Sequence, residues 1–299
     1  MKNLHKKFLI KNCMGLENQT VIVTGATGGI GKAIVRHLLG LNANVIMAIR
    51  NLEKGENLKE ELSKSFDGKK IQIMELDVSS FASIDKFVND VQKFKVNHLI
   101  NNAGNLTGEK HYDTNFLGPM YLSLKLLSKL NENQNSRIVF QNSISYKYAK
   151  IDWCDVQNKK ANGNIRKYAR AKRLIAQAVI ALEGDMAKRY ANVKIALVHP
   201  GVCSTNIFGN DKTAVSRFFS KIIRVCARCV FHSASTASLP AVFALSYPLT
   251  DNTQIIGPRV FGVWGKPRLA RLSKKLFNKT EKENAKKLLE AEFSKFSIL

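Results

Sequence analysis

Residues Gln19–Gly31 read QTVIVTGATGGIG, and the fold follows from how this stretch is read. Thr20, Val21, Ile22, Val23 and Thr24 form a short β-branched run that stops at Gly25. Gly29-Ile30-Gly31 then opens a stretch in which Ile34, Val35, Leu38 and Leu39 recur at helical spacing. Length and composition predict a strand, a tight turn and a helix N-terminus. Glycines at such a turn let the chain bend sharply and let a pyrophosphate approach without a Cβ in the way. The free N–H groups of the helix start then face the anion. The spacing Gly25, Gly29, Gly31 is a T-G-x-x-x-G-x-G variant of the commoner G-x-G-x-x-G. On its own it also fits a purely structural strand–helix turn.

Outward from this unit the chain keeps alternating. Strands are expected at Ala43–Ile49, Ile71–Leu76, Val96–Ile100, Arg137–Gln141 and Val193–Val198. Helices are expected at Glu53–Phe66, on the stripe Phe81, Ile84, Phe87, Val88 and Val91, over about Tyr112–Leu130, and over about Arg166–Tyr190. Asp67-Gly68 reads as a turn, and Ser79-Ser80 as a helix cap. This is the period of right-handed βαβ units, so the expected fold is α/β: one Rossmann-like, doubly wound parallel sheet with helices on both faces. Ligands of such sheets bind at the carboxyl ends of the strands. The expected organisation is a basic leader at 1–18, the α/β domain at 19–265 and a lysine-rich helical tail at 266–299. Within the domain, 206–238 reads as a lid over the substrate.

With 299 residues, 45% hydrophobic, the chain can bury a large core. Lys+Arg 47 against Asp+Glu 23 gives a net charge of +24. Such charge admits nucleic acid or an anionic membrane as partner. The lysines are scattered over every expected helix with no nucleic-acid motif, so the reading excludes nucleic acid. The five cysteines have no framework spacing, and Cys226-x-x-Cys229 has only His232 nearby, so no metal site is expected. Reduced thiols imply an intracellular, cytoplasmic location. No apolar run of about 18 residues exists to span a bilayer. The basic N-terminus has too short an apolar part (Phe8, Leu9, Ile10) for a secretory signal and reads as a loose leader. Residues 217–229 are expected to form a basic amphipathic helix in which Phe218, Phe219, Ile222 and Ile223 are interleaved with Arg217, Lys221, Arg224 and Arg228. That helix suits a lid over a lipophilic substrate or peripheral contact with a membrane.

Tyr168 and Lys172 are four apart on an expected helix and project from one face. A phenol, with an ordinary pKa near ~10, works as a base at neutral pH only when a nearby cation stabilises phenolate. Ser143 sits just past a strand end, where its hydroxyl can bond a reacting carbonyl oxygen. Asn115 is a poor helix former inside an expected helix, which suggests a bonding task.

Together these motifs resemble the short-chain dehydrogenase/reductase family over nearly the whole length, from Gln19 to about Trp264. The matching pieces are TGATGGIG (Thr24–Gly31), Asp77, NNAG (Asn101–Gly104), Asn115 in NFLG, Ser143, YARAK (Tyr168–Lys172) and HPGVCST (His199–Thr205). Within the family the chain looks like the retinol dehydrogenase and WW-domain oxidoreductase branch. Ser143 and Tyr168 are 25 positions apart, and IDWCDVQ (Ile151–Gln157) resembles that branch's insert.

The resemblance implies that Tyr168 is the general acid/base and that Lys172 lowers its pKa and holds the nicotinamide ribose. It implies that Ser143 orients the carbonyl and that Asn115 holds a water linking Lys172 to solvent. Cofactor contacts are implied at Gly25, Thr27, Gly29, Ile30, Gly31, Arg50, Asp77, Val78, Asn102, Ala103, Gly104, Tyr168, Lys172, Pro200, Gly201, Val202 and Thr205. Arg50 stands 19 positions after Gly31, close to where an acidic residue would hold a ribose 2′-hydroxyl. A guanidinium there suits a 2′-phosphate, so NADP(H) is expected over NAD(H). Ala171 stands where the family usually has Ser, as does Asn142. The stretch from Gly104 to Asn115 is short for the branch, which leaves pocket shape and pairing as a homodimer open. The expected function is NADP(H)-dependent interconversion of a carbonyl and an alcohol on a lipophilic substrate, retinoid-, steroid- or aldehyde-like. The rivals are a nucleotide-binding scaffold without turnover and a peripheral membrane protein.

Overall fold

β-Branched residues build the centre of the sheet because each of its inner strands is covered on both faces. In the computed structural model, strand β1 (Thr20–Thr24) buries Val21, Ile22 and Val23 completely. Residues 2–13, 15–106, 110–160, 163–201, 233–249, 254–260 and 262–294 are described. The further strands are β2 (Asn44–Ile49), β3 (Ile71–Glu75), β4 (His98–Asn101), β5 (Ser136–Gln141), β6 (Val193–Val198), β7 (Gln254–Val260) and β8 (Trp264–Arg271). They form one 8-stranded sheet in the order 3-2-1-4-5-6-7-8, with neighbours parallel until β8 returns antiparallel beside β7. The order reverses at β1, which pairs with β2 on one side and β4 on the other. That reversal opens a crevice at the carboxyl ends of β1 and β4.

Helices cover both faces. On one lie α1 (Lys2–Asn12), α2 (Gly29–Gly40), α3 (Leu52–Ser63) and, further along, α9 (Leu239–Ser246), whose apolar sides pack with Val23, Ile100, Val139 and Val198. On the other lie α4 (Phe81–Val91), α5 (Gly118–Lys125), α6 (Leu127–Asn131) and α7 (Asn164–Arg189), joined by α10 (Lys279–Phe293). A one-turn helix, α8 (Ala234–Ala237), precedes α9, and Ser238 marks the break between them. Ser80 caps α4 by accepting from Ser83 N–H, and Asp67 caps the turn before β3.

Two expectations are corrected. The N-terminal stretch is not a loose leader: α1 buries Leu9, followed by buried Cys13, and sets Phe8 5.7 Å from Phe243 of α9. Its lysines masked an apolar side that α9 needs as cover. The lysine-rich tail expected from residue 266 is not separate from the domain either. β8 runs across that boundary as part of the sheet, and α10 buries Ala285, Leu289 and Phe293, a stripe at spacing four, against α7 and Tyr121. The long helix expected over Tyr112–Leu130 is present, with a π-turn (Asp113–Leu117) leading into α5 and α6. Asn115 widens that first turn by donating to His111 O at 3.1 Å. Gly118 then passes so close to the Val78 carbonyl that any Cβ there would collide with it. Pro119, in the first turn of α5, cannot donate an N–H at all.

Among the described residues no helix is long and apolar enough to cross a membrane, and no cluster of His, Cys, Asp or Glu could hold a metal. Cys13 and Cys154 are free thiols. Residues 202–232 lie outside the description. With them go Val202, Thr205, the basic helix expected at 217–229 and most of the expected lid.

Candidate active site

The glycine turn is held in place from below. Gly25 has φ +63°, a left-handed conformation that favours glycine, and a Cβ there would lie 2.9 Å from Ala103 Cα. A Cβ on Gly31 would run into the Gly25 carbonyl. Thr24 ties the turn to the next strand end. Its hydroxyl accepts from Asn102 N–H at 3.0 Å and Ala103 N–H at 2.9 Å, and Asn102 Nδ2 donates to Thr24 O at 2.9 Å. The sequence reading did not single out Thr24. A lone hydroxyl at the end of an apolar strand was the available signal.

The helix that follows leaves its first turn open. Gly28 caps α2 without a side-chain bond, and the first turn carries no acidic residue. The first N–H groups of a helix have no intrahelical acceptor, so Gly29, Ile30 and Gly31 present donors at the positive helix end. This donor set fits the pyrophosphate of a dinucleotide, with half-buried Thr27 beside it in the turn.

Past β2, Arg50 is exposed. Asp77 follows β3, and its Oδ1 accepts from Ser79 N–H at 2.9 Å and Ser79 Oγ–H at 2.8 Å. Burial pushes the Asp77 pKa up, but the Ser79 bonds and the charges of Arg50 and Lys110 outweigh it and hold the carboxyl below its ordinary value. Val78, next to it, is buried.

The acid–base candidates gather at the end of β5. Lys172 is 4% exposed on α7, and its Nζ donates to Gln141 O at 2.8 Å. Burial pulls its pKa down to about 8. The same ammonium lies 5.5 Å from the Tyr168 ring centre, as the four-residue spacing requires. The Ser143 side chain acts on the Tyr168 hydroxyl to lower its pKa, and Ser143 Oγ accepts from Ser145 Oγ–H at 3.0 Å. Burial pushes the Tyr168 pKa up, and the Ser143 side chain only partly offsets it. Burial is thus the largest influence on the Tyr168 phenol. The ammonium faces the ring, and one of its protons is committed to Gln141.

Asn115 is fully buried and clamps the strand-end loop. Its Nδ2 donates to Asn105 O at 2.9 Å, and its Oδ1 accepts from Asn105 N–H at 3.1 Å. Gly104 sits between the two polar groups. A Cβ there would lie 2.8 Å from Asn115 Oδ1 and 3.7 Å from Lys172 Nζ.

The structure thus brings Asn102, Ala103, Gly104, Asn115, Ser143, Tyr168 and Lys172 to one edge of the sheet, with the α2 turn beside them. Pro200 and Gly201 (φ +76°) follow β6 at the same edge. The sequence reading missed a second layer. Glu281 of α10 accepts from Trp153 Nε1–H at 3.1 Å and Gln177 Nε2–H at 2.9 Å, and it lies 3.9 Å from Arg173, whose other nitrogen donates to Tyr146 O. Glu281 therefore joins the 151–157 insert, α7 and the turn after Ser143. A carboxylate in a lysine-rich helix gave no signal of this.

Comparisons with known proteins agree with this fold. The short chain dehydrogenase family model matches residues 19–215. Mouse retinol dehydrogenase 12 is 30% identical over 66% of this chain and 65% of its own length. Mouse retinol dehydrogenase 14 is 31% identical over 64% of this chain and 63% of its own length. The match thus spans less than two thirds of either relative. Mouse polyprenol dehydrogenase is 27% identical over 77% of this chain and 72% of its own. Among solved structures, an uncharacterized protein from Mycobacterium paratuberculosis superimposes with a TM-score of 0.75 at 22% identity, covering 95% of this chain and 96% of that one. L-sorbose reductase from Gluconobacter frateurii, complexed with NADPH and L-sorbose, gives a TM-score of 0.61 at 17% identity, covering 78% and 92%. The chain belongs to the short-chain dehydrogenase family of nicotinamide-dependent oxidoreductases, with its similarity toward the retinol dehydrogenase branch.

Proposed function

We propose that this chain interconverts a carbonyl and an alcohol on a lipophilic substrate with NADP(H), Tyr168 exchanging the proton. The observation that carries the reading is the convergence of Tyr168, Ser143 and Lys172 at the end of β5, beside a helix start that offers unpaired N–H groups. The nicotinamide cofactor, when bound, supplies the hydride chemistry. The rest is the work of this chain's residues. Burial keeps the Tyr168 phenol protonated at neutral pH, the form that donates to a carbonyl oxygen during reduction. Ser143 Oγ, on the same side of the site as that phenol, orients the same oxygen. Lys172 keeps its proton at pH 7, since its pKa is about 8, and stabilises the phenolate left after transfer. Asn115 fixes the loop around Gly104 and, with Lys172, frames the path by which a water returns the proton.

Gly25, Thr27, Gly29, Ile30 and Gly31 would hold the pyrophosphate, and Asp77 and Val78 the adenine side. Asn102, Ala103 and Gly104, with Pro200, Gly201, Val202 and Thr205, would frame the nicotinamide half. Exposed Arg50 complements a 2′-phosphate. A lipophilic substrate is supported by relatives named for retinol and polyprenol. Residues 206–238 would close over it, with 217–229 available for membrane contact.

The cofactor assignment is tested by comparing kcat/KM with NADPH and NADH. The native chain should favour NADPH, and Arg50→Asp should reverse that by about ten- to a hundredfold, the worth of a charge-assisted bond of about 1.5–3 kcal/mol. A native preference for NADH would overturn it. Tight NADPH binding without turnover on any carbonyl would favour the silent scaffold.

A further inference from the structure

β5 ends on Gln141, whose backbone and side chain have separate tasks. The backbone carbonyl takes the Lys172 ammonium. Gln141 is 7% exposed as a residue, its side-chain Nε2 and Oε1 are buried, and neither has a partner among the described residues. A buried donor and acceptor both left unmade cost stability, and an interior parallel strand ordinarily ends on an aliphatic residue. Keeping a glutamine here points to a ligand that completes it.

Strand register says which ligand atoms are near. Gln141 pairs with Val198 of β6, so His199-Pro200-Gly201 lies immediately beyond on that side. Its neighbour Phe140 pairs with Asn101 of β4, so Asn102-Ala103-Gly104 lies beyond on the other. Ser143 is two residues on. Side chains alternate along a strand, so Gln141 shares the face of Val139, which packs in the same cluster as α2. The amide therefore stands at the carboxyl edge between the open turn of α2 and the Tyr168–Lys172 pair.

We infer that the Gln141 amide reads the carboxamide of the nicotinamide ring, Nε2–H donating to its carbonyl oxygen and Oε1 accepting from its amino group. A primary carboxamide presents one acceptor and one donor side by side, matching the two unmade bonds of the glutamine, whereas a phosphate only accepts. The inference rests on the nicotinamide reading proposed above and adds to it a residue that positions the ring.

The test is calorimetric titration of the purified full chain with three ligands. They are NADPH, its 3-acetylpyridine analogue, in which methyl replaces the amino group, and 2′-phospho-ADP-ribose, which lacks the ring. The native chain should bind NADPH about tenfold or more tighter than the analogue. Gln141→Met, similar in shape and apolar, should bind both alike and leave 2′-phospho-ADP-ribose affinity unchanged. Without cofactor it should melt at the same temperature or higher, since an unpaired buried amide is gone. Undiminished discrimination in Gln141→Met would overturn the inference. So would a lower melting temperature or failure to fold, since the amide would then have an internal partner. If the native chain bound neither NADPH nor 2′-phospho-ADP-ribose, the nicotinamide reading itself would fall and take this inference with it.

Discussion

Lowering the pH from 7 to 5 should strip this fold of stability through two buried imidazoles, and His98 isolates the effect. His98 opens β4 and is 3% exposed. Its Nδ1 accepts the Arg137 N–H at 3.1 Å, so Nε2 carries the proton and donates to Gln19 Oε1 at 2.5 Å. A second proton would have to displace the Arg137 bond and place a charge in the core beside a guanidinium. Burial, helped by Arg137, accordingly pulls the His98 pKa from 6.5 down to about 3. Burial and Lys147 pull His199 down to about 4. A histidine with a depressed folded pKa stabilises fully above the unfolded value of 6.5, and that stability is lost as pH falls toward the folded value. At pH 5 the unfolded ring lies 1.5 units below its pKa while the folded ring is still neutral. At about 1.36 kcal/mol per unit, each ring costs about 2 kcal/mol, about 4 together. Urea unfolding at pH 7 and pH 5 measures the difference. In His98→Gln the loss between the two should shrink by about 2 kcal/mol, whatever the variant's absolute stability. An unchanged loss, or a His98 ring that titrates near 6.5 by NMR, would refute the reasoning.

Lys172→Met should raise the melting temperature while abolishing turnover. A buried lysine held at about 8 against an ordinary 10.5 costs stability at every pH below 8 and is relieved as pH rises toward 10.5. At pH 7 that is about 3 kcal/mol, less the bond to Gln141 O. Scanning calorimetry decides it, and a lower melting temperature would count against the burial argument. Glu281→Ala should cost about 3 kcal/mol or more in urea unfolding, because it strands Arg173, whose side chain is 8% exposed, and orphans two further donors. Glu281→Gln, which keeps an acceptor, should recover part of that, and an unchanged midpoint in Glu281→Ala would show that α10 does not brace the site.

Much of the frame was legible because its signals are local. The β-branched run ending at Gly25 and the helix stripe Ile34, Val35, Leu38, Leu39 each state their structure within one element, and the sheet follows from their alternation. The site motifs were legible for the same reason: Tyr168 and Lys172 meet because four residues make a helical turn. What stayed hidden was non-local. That α1 would cover α9, or that Glu281 would reach Trp153 and Arg173 from more than a hundred positions away, depends on packing that no window of sequence reports. The π-turn at Asn115 was half visible: a poor helix former announced a bonding task, but the widened turn needs the His111 carbonyl and the Val78–Gly118 approach to explain it. The burial that pushes the Tyr168 pKa up was hidden as well, because burial has no signature in spacing.

The central claim is that Tyr168 moves the proton in a nicotinamide-dependent carbonyl–alcohol conversion. Its most direct measurement follows NADPH fluorescence during turnover on a panel of lipophilic aldehydes, ketones and alcohols, for the native chain and for Tyr168→Phe. The account predicts turnover by the native chain on at least one such substrate. It predicts a loss of about a hundredfold or more in kcat for Tyr168→Phe, with NADPH still bound. Full activity in Tyr168→Phe would contradict it.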